Sequence, residues 1–223
     1  MKRDGYDRFL TILLVFLILA ILGTAGYLTF KFVEKYKINS NANSVIAQFD
    51  ELIDKRKKEE NINNNNGTGT TNEVENVGET VAGITGSPLY MSDYSVEGKL
   101  EMPSVNLQYP VLSEMTDANA IEVSLAVQYG VGLNNVGNTV IIGHNYRNGL
   151  FFGSNKRMQV GDVVYVTDWN SGERIAYEIY DKFTADESDT SYYNRDTNGY
   201  REISLVTCEY DNNYRLVILA REQ

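Results

Sequence analysis

The chain has one cysteine, one histidine, one tryptophan and three prolines in 223 residues. A single cysteine excludes an intrachain disulfide. One cysteine plus one histidine falls short of the four-ligand set of a structural zinc site, so neither a metal nor any other cofactor is expected. Positive charge is scarce as well, with 20 Lys+Arg against 30 Asp+Glu and a formal net charge of −10. The deficit is uneven: residues 1–80 carry a net −1 and residues 81–223 a net −9. An acidic domain repels phosphate backbones, so nucleic acid is not an expected partner. No internal repeat is present.

One long hydrophobic run stands out. Residues 9–30 are 22 consecutive uncharged positions. At about 1.5 Å per residue such a helix crosses a bilayer core of about 30 Å. A signal peptide has an apolar core of only about 7–15 residues, so an uncleaved membrane anchor over residues 1–32 is the expectation. Lysines and arginines flank the run on both sides, and the positive-inside rule does not orient it. Residues 33–60 read as a charged stem. Within it Val45, Phe49, Leu52 and Ile53 recur at helical spacing, which predicts an amphipathic helix over 43–58 with Lys55-Arg56-Lys57-Lys58 on a solvated face. Residues 61–80 are rich in Asn, Gly and Thr and have little to bury, so a flexible linker is expected.

From residue 81 to 223 the pattern is one of short strands. Residues 96–102, 107–112 and 139–143 read as strands, with Pro110 marking an edge or bend. Residues 118–127 read as a short helix capped by Thr116 or Asp117, and residues 150–158 as a helical turn. A hairpin is expected over 162–168 and 173–183, turning at Asn170-Ser171-Gly172. Residues 184–200 lack an apolar period and read as a long loop. A last strand pair, 203–208 and 215–221, turns at 209–213. Repeated short strands with little helix indicate an all-β barrel or sandwich.

Three residues in this domain carry chemistry. Cys208 ends the run Ile203-Ser204-Leu205-Val206-Thr207. His144 follows Val140-Ile141-Ile142-Gly143. Arg215 opens Leu216-Val217-Ile218-Leu219. A thiol, an imidazole and a guanidinium are a nucleophile, an acid/base and an oxyanion partner. Each also has a plainer reading. A free cysteine is often a small buried hydrophobe, a lone histidine is often a hydrogen-bonded surface or core residue, and Arg215 could pair with Glu209 or Asp211. Against these, both Cys208 and His144 sit where a strand opens into a polar turn. Arg215 lies across a short turn from Cys208, where antiparallel neighbours come within reach. Arg221 is a rival for the arginine role.

Leu205-Val206-Thr207-Cys208, followed by Arg215 before an apolar strand, resembles the active-site signature of the sortases. Val140-Ile141-Ile142-Gly143-His144-Asn145 is similar to their histidine segment, and Leu100-Glu101-Met102-Pro103-Ser104-Val105 with Tyr109-Pro110-Val111 to their early strands. The resemblance implies a closed eight-stranded β-barrel with short helices, preceded by a transmembrane helix and stem. It implies a cysteine transpeptidase with Cys208 as nucleophile, His144 as acid/base and Arg215 as oxyanion and substrate partner. Such enzymes cut a C-terminal sorting signal of the Leu-Pro-x-Thr-Gly kind from surface proteins. They hold the product as a thioester and pass it to a cell-wall or pilin amine. The resemblance further implies a single-pass protein of a Gram-positive cell membrane with its catalytic domain outside. The short interval from His144 to Cys208 and the lack of a lid motif point to a class A or class D type. A cysteine protease and a non-catalytic membrane-tethered adhesion domain are the rival readings.

Overall fold

The computed structural model describes residues 3–65, 88–113, 117–209 and 213–223. It divides into two units, Met1–Ser40 and Asn41–Gln223. The first unit holds the apolar part of helix α1 (Arg3–Asn65). Among the described residues this is the one helix long and apolar enough to cross a membrane, and nothing in the unit buries its apolar window.

The rest of α1 belongs to the second unit and has a different character. Ala42, Ile46, Phe49 and Ile53 are buried at intervals of three and four, the stripe expected of a helix laid on a core. The Phe49 ring lies 5.2 Å from the Trp169 ring. Asp50 takes the Lys99 ammonium at 2.5 Å. Arg56 departs from the expected solvated basic face: it is 8% exposed and donates to the carbonyls of Trp169 (2.5 Å) and Asn170 (3.1 Å) with its guanidinium over the indole. Those carbonyls end a strand and need donors, and the arginine stem packs on the ring while its head supplies them. Helix extends through Asn65, into the segment expected to be linker, and residues 66–80 of that segment lie outside the described residues.

Nine strands follow: β1 (Tyr90–Met91), β2 (Tyr94–Met102), β3 (Leu107–Leu112), β4 (Leu125–Gly130), β5 (Gly137–Ile142), β6 (Val163–Asp168), β7 (Arg174–Asp186), β8 (Arg201–Cys208) and β9 (Tyr214–Glu222). The order is β1-β2-β3-β4-β5-β8-β9-β7-β6, and β6 pairs back onto β2. That last pairing closes a barrel of eight strands, with β1 a short flap on β2. Most pairs are antiparallel, while β5 and β8 run parallel, as do β3 and β4.

Alternation along β5, β8 and β9 makes two apolar faces. Ile141, Leu205 and Ile218 are fully buried on one side. Val140, Val206, Val217 and Leu219 cluster on the other with Tyr192, a loop residue. The strands are therefore covered on both faces, which explains why β8 is buried at every position from residue 202 to residue 207 rather than at alternate ones.

Three expectations need correction. The helix expected over residues 118–127 is only one turn, α2 (Ala120–Val123), and Leu125–Gly130 is strand β4 instead. Leu125, Ala126 and Val127 are apolar in a row and fit either element by pattern. Pairing with β3 on one side and β5 on the other satisfies their backbone groups as a strand. The helical turn expected over 150–158 reduces to a 3-10 turn at Asn155–Arg157. The loop expected to start at residue 184 begins after Asp186, because β7 continues along β9 to that point. The turn expected at 209–213 falls largely on residues 210–212, outside the described residues.

Candidate active site

Register and parity bring the chemistry together. Cys208 and Arg215 are cross-strand partners at the end of β8 and the start of β9. Cys208 shares the parity of Val206, and Arg215 that of Val217, so both project from the face that Tyr192 covers. β5 runs parallel to β8 with Ile142 opposite Val206, so its C-terminal end reaches the same rim. There Gly143 donates to the Val206 carbonyl (3.2 Å), and Thr207 Oγ1 donates to the Gly143 carbonyl (2.7 Å). A Cβ on Gly143 would lie 2.5 Å from Leu125 Cδ2, so a larger residue here would have to displace that side chain. Asn145 then donates to the Cys208 carbonyl at 2.8 Å. The residues on either side of His144 are thus bonded to the strand that ends in the thiol.

His144, Cys208 and Arg215 line one cavity of about 260 Å³, together with Ile121, Gln128 and Tyr193. Cys208 is half-buried, neither sealed in the core nor fully open. The His144 imidazole lies 4.9 Å from the Tyr146 ring, and its Nε2 lies 2.9 Å from Glu122 Oε1. This second approach is not aligned as a hydrogen bond, since Nε2 meets no acceptor at hydrogen-bond angles. Arg215 Nη1 donates to the Tyr214 carbonyl, and Nη2 stands 3.5 Å from Glu187 Oε2. Burial pushes the Tyr192 phenol up to about 12 and raises that of Tyr193, so these two lining side chains are neutral phenols at working pH.

The loop carrying those tyrosines is pinned from below. Asn138, buried at the start of β5, donates through Nδ2 to the carbonyls of Tyr192 (2.9 Å) and Tyr193 (3.0 Å). Its Oδ1 accepts from Arg195 (3.0 Å) and Ser204 (3.0 Å). Arg195 also pairs with Glu202.

Arg221, the rival arginine, lies six residues along β9, about 20 Å away at ~3.4 Å per residue. It is bound to Glu202 at 2.6 and 2.7 Å and is no part of this cavity. The plainer pairing of Arg215 with Glu209 is also absent, since Glu209 pairs with Lys156; Asp211 lies outside the described residues. Sequence reasoning named Cys208, His144 and Arg215 but missed Glu122, Tyr146, Glu187, Tyr192, Tyr193 and Asn138. No local motif marks any of them, because each reaches the site through tertiary packing. Among the described residues, no three His, Cys, Asp or Glu side chains are grouped to hold a metal ion.

A closed eight-stranded barrel with a thiol, an imidazole and a guanidinium at one rim defines a cysteine-centred site on a β-barrel. The model of the sortase domain matches residues 100–223, more than half of the chain, and the protein belongs to the sortase family. A curated relative, Sortase A of Bacillus anthracis, is 29% identical over 126 residues, covering 55% of this chain and 58% of that protein's length. Among solved structures, Streptococcus pneumoniae Sortase C has a TM-score of 0.58 at 19% identity, covering 81% of this chain and 96% of that one. Clostridium perfringens sortase C, determined with the C-terminal cell wall sorting motif, has a TM-score of 0.51 at 20% identity, covering 57% and 70%. Relatives named sortase A and sortase C both match, so the fold does not separate the classes.

Proposed function

We propose that this protein is a cysteine transpeptidase that acts on the C-terminal sorting signal of surface proteins. The single observation that carries this reading is the cavity in which Cys208 and its cross-strand partner Arg215 meet His144. The Cys208 thiolate attacks the carbonyl carbon before the scissile bond. The Arg215 guanidinium steadies the oxyanion of the tetrahedral intermediate. The C–N bond breaks, the leaving amine takes a proton from His144, and the acyl group stays on sulfur as a thioester. A second amine then attacks, His144 takes its proton, and the thiolate leaves.

The donor is a surface protein with a Leu-Pro-x-Thr-Gly-like signal, and the acceptor is a cell-wall or pilin amine. The apolar part of α1 anchors the chain as a single span with the catalytic domain outside the cell. The layout in this reading is an anchor (1–32), a helical stem (33–60), a tether (61–80) whose first five residues continue the helix, and a catalytic domain (81–223). Mass spectrometry of the full chain with a sorting-signal peptide library tests the chemistry. The expected result is an acyl adduct on Cys208 that triglycine converts to a ligated peptide. Hydrolysed peptide only, with no ligation at high triglycine, would make the protein a cysteine protease. No adduct and no iodoacetamide labelling of Cys208 would leave a non-catalytic adhesion domain.

A further inference from the structure

The one imidazole in the chain touches a carboxylate that the reaction scheme above does not use. Glu122 sits on the single turn α2, and its Oε1 lies 2.9 Å from His144 Nε2. Its other oxygen, Oε2, accepts the Tyr146 hydroxyl at 2.5 Å. Tyr146 in turn holds its ring 4.9 Å from the imidazole at an interplanar angle of 33°. Three side chains from two segments therefore close on one another: carboxylate to imidazole, imidazole to phenol ring, phenol hydroxyl back to carboxylate. Ile121, the neighbour of Glu122 on α2, lines the same cavity as His144, Cys208 and Arg215, so this cluster borders the site.

We infer that Glu122 is a positioning residue for His144, acting by its charge. A carboxylate at this distance attracts the positive charge that the ring carries while it holds the transferred proton. His144 and Cys208 line one cavity, so positive charge on the ring attracts the sulfur's developing negative charge in the attack. Tyr146 restrains both partners, since it fixes one carboxylate oxygen and walls the ring. The 2.9 Å approach is not aligned as a hydrogen bond, so charge rather than hydrogen-bond geometry is the operative property. The Glu122 side chain is 56% exposed and that of His144 is 27% exposed, so solvent weakens the coupling to that of a partly screened pair. Glu122 thus assists proton delivery to the leaving amine without touching the peptide. The inference rests on His144 serving as the acid/base of the proposed reaction.

The deciding variant is Glu122→Gln. Glutamine keeps the volume, the helical turn and an acceptor for Tyr146, and removes only the charge. Glu122→Ala removes all of them. Two measurements on the full chain in detergent micelles read the effect. The first is alkylation of Cys208 by iodoacetamide at pH 7, followed by mass, which needs no substrate and is unambiguous because the chain has one cysteine. The expected result is that Glu122→Gln and Glu122→Ala both slow alkylation about two- to fivefold. The second is turnover of a sorting-signal peptide with triglycine. The expected result is a fall in kcat of about tenfold for both variants, with KM held within about twofold. Glu122→Asp, which keeps the charge, recovers part of each loss. Alkylation and kcat of Glu122→Gln equal to those of the parent would overturn the inference, as would a loss confined to Glu122→Ala. Failure of the transpeptidase reading shows differently, as retained turnover in Cys208→Ala, and the alkylation result still decides the role of Glu122.

Discussion

Strands β8 and β9 carry an arginine at each end of one face, and the two arginines have opposite surroundings. On one rung Arg221 stands across from Glu202, and on the other Arg215 stands across from Cys208. The Glu202 side chain is fully buried and takes Arg221 through two nitrogens, Arg195 through a third, and the Tyr180 hydroxyl at 2.9 Å. Every acceptor direction of that carboxylate is filled, so this rung is a closed structural clamp. At the other rung the facing residue is a thiol. Among the described residues Arg215 pairs with Glu187, about half exposed and 3.5 Å away. The backbone register is the same at both rungs, so the cross-strand partner alone decides whether the guanidinium locks a loop or faces a cavity.

The largest way to break the contrast is at the thiol itself. Cys208→Ala abolishes transpeptidation while leaving the melting temperature close to that of the parent, measured by ligation assay and circular dichroism. At the other rung Glu202→Ala is expected to do the reverse. It leaves two guanidinium groups facing a buried hole, which destabilises by about 3–5 kcal/mol, read by urea denaturation. A loss below about 1 kcal/mol would show that water already reaches that clamp. Exchanging the question between the arginines sharpens it further. Arg215→Ala slows acylation about 10²–10³-fold, equivalent to about 2.7–4 kcal/mol of transition-state stabilisation. Arg221→Ala leaves kcat within about twofold and lowers stability by about 1–3 kcal/mol, since Glu202 keeps Arg195. Activity lost with Arg221→Ala and kept with Arg215→Ala would reverse the assignment.

The sequence made the Cys208 rung readable because a strand end, a short turn and a strand start can be counted along the chain. His144 was readable for the same reason, as the residue after a buried run. The Glu202 rung was not readable, although Arg221 shares the face of Arg215. Its meaning depends on Arg195 and Tyr180, which come from a loop and from β7 and meet Glu202 only through packing. Tyr192 was hidden in the same way: residues 184–200 have no apolar period, yet one tyrosine among them completes the outer core. Asn138 gave no signal because a polar residue at a strand start is ordinary; its value lies in the two loop carbonyls it reaches. Strand β4 was mistaken for helix because three successive apolar residues suit both elements, and only the neighbouring strands decide between them. The eight-stranded closure came from the resemblance, not the pattern, since pattern alone left a sandwich equally open.

The smallest effect belongs to the far end of the clamp rung. Glu222 Oε1 accepts the Arg201 backbone N–H at 2.8 Å, and Oε2 pairs with its guanidinium at 2.9 Å. These contacts, the backbone N–H foremost, hold the Glu222 carboxyl below its ordinary value of 4.5. A carboxyl whose value is lowered by folding stabilises the fold above its unfolded value, and that contribution fades as pH falls through the folded one. Glu222→Gln should therefore be less stable than the parent at pH 6, by about 0.5–1 kcal/mol for a partly exposed pair. The gap should narrow as pH drops below about 4.5, because the parent's carboxyl is then being protonated too. Urea denaturation of both proteins from pH 6 to pH 3 reads this directly. A gap that stays constant over that range would mean that the charge of Glu222 contributes nothing, and that shape and the neutral hydrogen bond alone join β8 to β9 at that end.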